Sequence, residues 1–435
     1  MKIFNYKPLS LFLIVCSLQS GAQELLTLKA AIDTALYNNL GLVISRNEAS
    51  ILDNNASRAN AGMLPRIDVN AGANYSNNSL NQKFNTGVEI DKTGVENKSY
   101  NGQLALNWTL FDGTKMFATY EKLQILKDMG ELRVQIKTEE IIYNIVTVYS
   151  DVVRQKIILQ GLINNMALYE ERYKLADIKL KIGKSSRSEL LQASIDLNNQ
   201  KNNLLKQNTL LKSTKLTLGK WMMYSPERQF DVADSLELNE KILLKDVLDP
   251  LEAGNKQLQL LRMEEKQRTQ EVKEQQSFAY PRVNLNAGYN FTSNSSTQGL
   301  FLVNQSRGPL VGLTFNWNLY NGTQRKQVEN LKLQQQNTTL VYEDTKLSLQ
   351  TMVTNAWQRY YDAIDIAVLE KVNYKLALEN LNITMQRFKL NEATLLELKD
   401  AQQINEASVT RLANTLFDAK TAEAELLFLS GKLIQ

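Results

Sequence analysis

Two stretches 209 residues apart restrict the fold of this chain more than any other feature. "SYNGQLALNWTLFDGTKM" (Ser99–Met116) and "GPLVGLTFNWNLYNGTQR" (Gly308–Arg325) each set apolar residues at every second position, reach an Asp-Gly or Asn-Gly pair, and then change to helical spacing. Such a pair normally marks a two-residue hairpin. Here the continuation is helical, so Asp112-Gly113 and Asn321-Gly322 read as junctions where a strand becomes a helix. The duplication extends well beyond them. "KLKIGKSSRSELLQA" (Lys179–Ala193) returns as "RFKLNEATLLELKDA" (Arg387–Ala401) at an offset of 208, and "MLPRIDVNAGANY" returns as "AYPRVNLNAGYNF" at 216, aligned through Pro65 and Pro281. Upstream, Asn39 and Leu42 stand opposite Asn255 and Leu258. A period near 200 residues is too long for a solenoid and marks a tandem duplication.

Each copy reads helix, strand, loop, strand, long helix, short turn, helix. In the first strand Ile67, Val69, Ala71, Ala73 and Tyr75 fall on one face, with Asp68, Asn70, Gly72 and Asn74 on the other. Val283, Leu285, Ala287, Tyr289 and Phe291 repeat this against Asn284, Asn286, Gly288 and Asn290. The return strands carry Leu104, Leu106, Trp108 and Leu110, or Leu313, Phe315, Trp317 and Leu319, on the apolar face. A half-buried antiparallel sheet shows the same alternation. Four strands of about ten residues, aromatics near their ends and Asn and Gly on the polar face point instead to a membrane β-barrel, lipid outside and water inside. The joining loops, Ser76 to Ser99 and Thr292 to Gly308, are polar. Four strands cannot close a barrel, and an unclosed edge in lipid strands its backbone groups, so several chains must assemble. Two chains would supply eight strands and three would supply twelve; periodicity does not choose.

The helices are unusually long. No proline interrupts Thr114 to Ile182 or Thr323 to Leu390, and each stretch would reach roughly 100 Å at about 1.5 Å per residue. Ile145, Tyr149, Val152, Leu159, Ile163, Met166, Tyr173 and Leu180 form a heptad seam. The expected plan is a signal peptide (1–22) and a first repeat (23–220) with a hairpin near 66–111, a long helix near 114–182 and a helix near 186–220. An insertion (221–250) follows, and then a second repeat (251–435) with a hairpin near 282–320, a long helix near 323–390 and a helix near 394–430. The signal reading rests on Lys2 and Lys7 before "LSLFLIVCSL" and the small-residue exit "QSGAQ", cut near Ala22. Val15 before Cys16 argues against lipid attachment at that cysteine.

Catalysis has little to work with. The chain has no histidine, and its one cysteine lies in the signal, so the usual general base, zinc ligand and thiol nucleophile are missing. No metal-ligand cluster, phosphate-binding glycine loop or nucleophile elbow is legible, so no enzyme activity, cofactor or metal is expected. Lys and Arg are mixed with Glu and Asp along the helices, a solvated coiled-coil face rather than a nucleic-acid surface. At the far turns, Gly183 is placed to end one helix, Ser186 to cap the next and Glu189 to complete a capping box; Asn391, Thr394 and Glu397 take those roles in the second copy. Asp400 lies one helical step beyond Glu397 and has no capping role; it reads either as part of a solvated helix face or, with Glu397 repeated around a symmetry axis, as a ring of negative charge that would favour cations.

These motifs resemble a TolC-family outer-membrane efflux protein over essentially the whole mature chain. The residues that carry the likeness are "LTLKAAIDTALYNNLGL", "LPRI" and "YPRV", "LFDGTK" and "LYNGTQ", and the two turns "KIGKSSRSELLQA" and "RFKLNEATLLELKDA". The resemblance implies a mainly α homotrimer with a twelve-stranded outer-membrane β-barrel and a coiled-coil helical tunnel through the periplasm. It implies a passive duct of a tripartite efflux or type I secretion system, served by an inner-membrane RND or ABC transporter. A periplasmic adaptor (membrane fusion protein) would dock at the turns around Gly183 and Asn391, Trp221 to Pro250 would be an equatorial insertion, and Glu397 and Asp400 would close the periplasmic entrance. Asn391 replaces the family glycine, Ala393 stands where some members carry a basic residue, and Lys179-Leu180 replaces an Arg-aromatic pair. A secreted coiled-coil adhesion or scaffold protein, its strands forming a small soluble sheet, is the alternative. Cargo is not legible.

Overall fold

Alternation and proline-free helical spacing become sheet and helix much where the sequence places them. The computed structural model describes residues 24–233, 235–238, 242–298 and 301–433. The signal peptide and Cys16 lie outside them. In chain order the elements are β1 (Glu24–Leu26), α1 (Leu28–Asn38), α2 (Leu40–Asn55), β2 (Arg66–Lys83), β3 (Glu89–Phe111), α3 (Lys115–Lys181) and α4 (Arg187–Trp221). They continue as β4 (Phe230–Val232), α5 (Leu244–Leu248), α6 (Leu251–Gly254), α7 (Lys256–Gln276), β5 (Arg282–Ser296), β6 (Val303–Asn316), α8 (Gly322–Lys389) and α9 (Leu395–Ser430).

The matching asparagines of the two copies do the same work. Asn39 caps α2, its Oδ1 accepting from the Gly41 and Leu42 N–H groups at 2.9 and 3.3 Å; Asn255 caps α7 and accepts from Leu258 N–H at 3.0 Å. The leucines three residues on, Leu42 and Leu258, are fully buried. A cap followed by an apolar residue one turn in fixes where each helix enters the core.

The chain packs as two compact units that cut across the repeats. One contains the stretch up to Ala35, Val148–Glu237 and Tyr374–Phe417; the other contains Leu36–Thr147, Leu238–Asn373 and Asp418–Gln435. In the first unit, β1 and β4 pair in parallel, and the Tyr149 hydroxyl donates to the Leu26 carbonyl at 3.0 Å. Asp231 on β4 accepts from Lys156 at 2.5 Å and from Lys215 at 2.8 Å. Burial works to raise the Asp231 carboxyl, but the hydrogen bonds from both lysines, the charge of Lys215 and the Val232 N–H outweigh it and hold the group below the usual range. In the second unit an apolar core joins Leu258 and Leu261 of α7 to Leu349, Val353 and Tyr360 of α8 and Leu426 of α9.

The second unit also holds the sheet, antiparallel in the order β2-β3-β5-β6. Its strands of 18, 23, 15 and 14 residues exceed the expected ten. The polar stretches read as loops are largely strand: β2 runs on to Lys83 and β3 starts at Glu89, leaving a short turn in place of Ser76 to Ser99, and β5 and β6 likewise shorten Thr292 to Gly308. Asn- and Ser-rich strands lack the apolar alternation that marks a strand, so backbone pairing alone extends them. Conversely, β6 ends at Asn316, so Trp317 and Leu319 lie beyond the strand to which they were assigned.

The seam of α3 departs from the heptad reading. Ile145, Tyr149 and Val152 are buried, but beyond them Leu159, Met166, Tyr173 and Leu180 are only half-buried and Ile163 is exposed. Asn165, Tyr169, Arg172 and Ala176 are buried instead. The 4-3-4 spacing persists one residue earlier, opposite to the drift of a straight 3.6-residue helix against a 3.5-residue repeat, so the neighbours packed on this stretch and not the helix pitch select the buried face.

Candidate functional site

The sheet is the first candidate, because register decides what each face can touch. Val69, Leu104, Tyr289 and Pro309 share one row, and Ile67, Leu106, Ala287 and Val311 the next. Near the strand entries every second residue of all four strands therefore adds to one apolar face, while further along Lys98 and Arg307 fall on the same face. That face is uncovered: Val69 is 78%, Val311 74% and Leu313 68% exposed. The opposite face is polar and, apart from Arg66, Asp68 and Arg282 near the strand entries, uncharged where the strands pair, with Ser99 Oγ donating to Asn294 Oδ1 at 2.6 Å, Thr109 Oγ1 to Asn284 Oδ1 at 3.0 Å and Asn286 Nδ2 to Thr314 Oγ1 at 2.8 Å. β2 and β6 have one neighbour each, so two edges stay open. Among the described residues no helix is long and apolar enough to cross a membrane.

The junctions differ between the copies. Asp112 and Gly113 sit between the end of β3 and the start of α3, with both Asp112 carboxylate oxygens accepting from Met116 N–H at 3.1 Å. Gly113 has φ 72°, and a Cβ there would meet the Ser277 carbonyl oxygen at 2.3 Å, so only glycine fits. In the second copy Asn321 caps α8 by accepting from Gln324 N–H at 3.2 Å, and Gly322 is simply the first helical residue. The two tryptophans hold their strands alike: Trp108 Nε1 donates to the Met63 carbonyl at 2.9 Å and Trp317 Nε1 to the Ala279 carbonyl at 3.1 Å.

The helix tips bring the other predicted residues together. Gly183 (φ 74°) and Asn391 (φ 61°) both take the left-handed conformation that ends α3 and α8. Thr394 and Glu397 form a reciprocal capping box, Glu397 Oε2 accepting from Thr394 N–H at 2.6 Å and Thr394 Oγ1 accepting from Glu397 N–H at 3.2 Å. Those hydrogen bonds from the Thr394 backbone and side chain, with the charge of Arg387, outweigh a slight desolvation and hold the Glu397 carboxyl below the usual range. The first copy makes only half of the box: Ser186 Oγ accepts from Glu189 N–H at 3.2 Å, while the Glu189 carboxylate accepts from the Ser185 hydroxyl. Ser185 has no hydroxylated counterpart in the second copy, where Ala393 stands. Asp400 is exposed. Lys179, which departs from the family pattern, lies over the Phe388 ring at 4.2 Å and so ties α3 to α8.

Behind the tips lies a group of charges that sequence reasoning missed. The guanidinium of Arg172 on α3 is fully buried, donates to Asp196 on α4, and reaches Gln402 Oε1 on α9 at 2.9 Å. Lys399 Nζ also reaches Asp196, at 3.4 Å, and Asn405 Nδ2 donates to Asn165 Oδ1 at 3.1 Å. Burial pushes the Glu406 carboxyl up, against the opposing effect of the neighbouring Tyr169 and Asn165 side chains. Burial and the charge of Glu406 push the Tyr169 hydroxyl up as well. In the sequence "YEERYK" reads as a solvated stripe, and only the shifted seam could have flagged Arg172. Among the described residues no group of His, Cys, Asp and Glu side chains comes together that could hold a metal ion.

Comparison with known proteins places this geometry. Residues 31–222 match the family model for outer membrane efflux proteins. The whole fold is similar to the outer-membrane channel OprN, at 15% identity over 93% of this chain and 89% of that one, with a TM-score of 0.78. It is similar to the Campylobacter jejuni CmeC outer membrane channel, at 16% identity over 93% and 85% with a TM-score of 0.78. The outer membrane protein VceC from Vibrio cholerae matches at 16% identity over 93% and 96%, with a TM-score of 0.73. No match was found among curated proteins. Residues 31–222 thus resemble outer membrane efflux proteins, and the chain has the fold of these outer-membrane channels. The family pattern lies in the first repeat, and the fold of these channels extends over both.

Proposed function

We propose that the chain is one of three protomers of a passive duct, whose sheets close a twelve-stranded barrel in the outer membrane and whose helices line a periplasmic tunnel. One observation carries this reading: an exposed apolar face continuous over four strands, bounded by two open edges. In water that face would be a large aggregation-prone patch, and in lipid the open edges would leave backbone groups unsatisfied. Closure with identical sheets removes both problems. The chain would carry no chemistry of its own; energy and cargo choice would come from an inner-membrane transporter of RND or ABC type through a periplasmic adaptor. The turns at Gly183, Ser186 and Glu189 and at Asn391 and Thr394 are the natural docking points, because they present the exposed helix ends. The strand-to-helix junctions at Asp112-Gly113 and Asn321-Gly322 would lie where barrel passes into tunnel.

Glu397 and Asp400 would line the periplasmic entrance. Glutamine at position 397 preserves the capping geometry while removing charge, so Glu397→Gln with Asp400→Asn isolates electrostatics from folding. In planar bilayers the double variant is expected to raise leak conductance and weaken cation preference; unchanged single-channel currents would remove the entrance role. The channel itself is tested by extraction and mass. A particle that needs detergent and has the mass of three chains supports the duct. Release by carbonate as a soluble monomer would favour the scaffold alternative.

A further inference from the structure

The two repeats differ in charge at one point on the polar face of the sheet. Arg66 opens β2 and Arg282 opens β5, each directly after the matching proline. Arg66 Nε donates to both carboxylate oxygens of Asp68, at 2.8 and 2.9 Å. The equivalent of Asp68 in the second repeat is Asn284. Arg282 accordingly donates to neutral acceptors, Nε to Asn284 Oδ1 and Nη2 to Thr109 Oγ1, both at 3.1 Å. These bonds hold the guanidinium in place on the polar face without cancelling its charge. Over the length where all four strands pair, Arg66 and Asp68 are the only charges on that face among the described residues, and they neutralise each other; Arg282 lies just beyond it, opposite Asn316.

Arg282 also borders a cavity of about 800 Å³ beside the strand entries. Lys122 and Glu274 on its wall form an ion pair at 2.6 Å, Asp112 is committed to capping α3, and Lys115 lies 5.2 Å from the Phe278 ring. Three cations against two carboxylates leave the cavity, like the sheet face, with an excess of one positive charge.

We propose that Arg282 is a fixed cationic group on the water-facing wall of the barrel, favouring solutes that bear a carboxylate, phosphate or sulfonate. The inference rests on the channel reading of the sheet. It gives the duct a charge filter opposite in sign to the one proposed for Glu397 and Asp400. Its reach is set by screening, with a Debye length of about 10 Å at 0.1 M salt and about 30 Å at 0.01 M, so its influence on permeating ions is largest at low ionic strength.

The test uses the full chain in planar bilayers under a potassium chloride gradient. Arg282→Gln removes the charge, Asn284→Asp supplies the partner that the first repeat has, and Arg282→Lys keeps the charge. At low salt the first two are expected to raise the cation-to-anion permeability ratio by roughly twofold, with Arg282→Lys like the native protein and all differences lost at 1 M. If native and variant channels conduct and the ratio does not move at low salt, the assignment to Arg282 is overturned while the duct stands. If the native protein gives no conductance at all, the duct reading is overturned and this inference with it. Asn284→Asp retains the arginine and its hydrogen-bond geometry, so it decides the matter should Arg282→Gln fail to assemble.

Discussion

Arg172 shows how one side chain can set the cost of a helix junction. Its guanidinium is fully buried between α3, α4 and α9, so truncation leaves Asp196 desolvated without its main partner. Removing one member of a buried ion pair typically costs about 3–5 kcal/mol, and Arg172→Ala is expected to lower the thermal unfolding midpoint accordingly. Arg172→Met should cost less, because its side chain fills the space that alanine leaves as a cavity; in both variants Asp196 keeps Lys399 and Gln192. Two carboxyls should give opposite pH signatures. Asp231 is held below its ordinary value, so its contribution is present at neutral pH and lost as pH falls through the depressed value; Asp231→Asn should therefore destabilise at pH 7 and not in strong acid. Glu406 is raised above the ordinary 4.5, so the folded form binds the proton more tightly and stability falls as pH rises past that value. Glu406→Gln should raise the unfolding midpoint at neutral pH, and a midpoint that drops instead would show that the buried charge is stabilised by its neighbours.

Helix ends carry the difference between the two copies at the scale of elements. The second tip has a reciprocal box through Thr394 and Glu397, and the first has only the Ser186 half. Losing a cap costs about 0.5–2 kcal/mol, and the loss should be larger for Thr394→Ala than for Ser186→Ala, because the Thr394 hydroxyl also donates to Glu397 Oε2 at 3.1 Å, while the backbone half of the box survives alanine. Hydrogen exchange at the first-turn amides of α9 and α4 measures this directly, and equal increases would mean that the extra bond to Glu397 adds nothing. The long helices illustrate a different point. Their bounds follow from proline-free spacing and from Gly183 and Asn391, whereas the face that α3 buries beyond Val152 is selected by the helices packed against it.

The whole molecule is defined by what its sheet leaves exposed. If the apolar face meets lipid, Val311→Arg is expected to destabilise the assembled protein by about 2–4 kcal/mol when the site lies near the bilayer midplane. A charge on the polar face, such as Asn286→Lys, should be tolerated because it meets water. Heat-modifiable mobility on denaturing gels, scored for trimer against monomer, separates the two, and equal tolerance would contradict a lipid-facing surface.

Local chemistry alone determined the duplication, the strand faces, the junction at Gly113 and the helix ends at Gly183 and Asn391, because period, turn residues and caps act within a few residues of themselves. The true length of the polar strands required the tertiary structure, since Asn- and Ser-rich segments become strands only when a neighbour supplies their hydrogen bonds. So did the burial of Arg172 against Asp196 and Gln402, and the uncancelled charge of Arg282. Each depends on groups far apart in the chain, whose meeting is decided by register and packing rather than by any local preference.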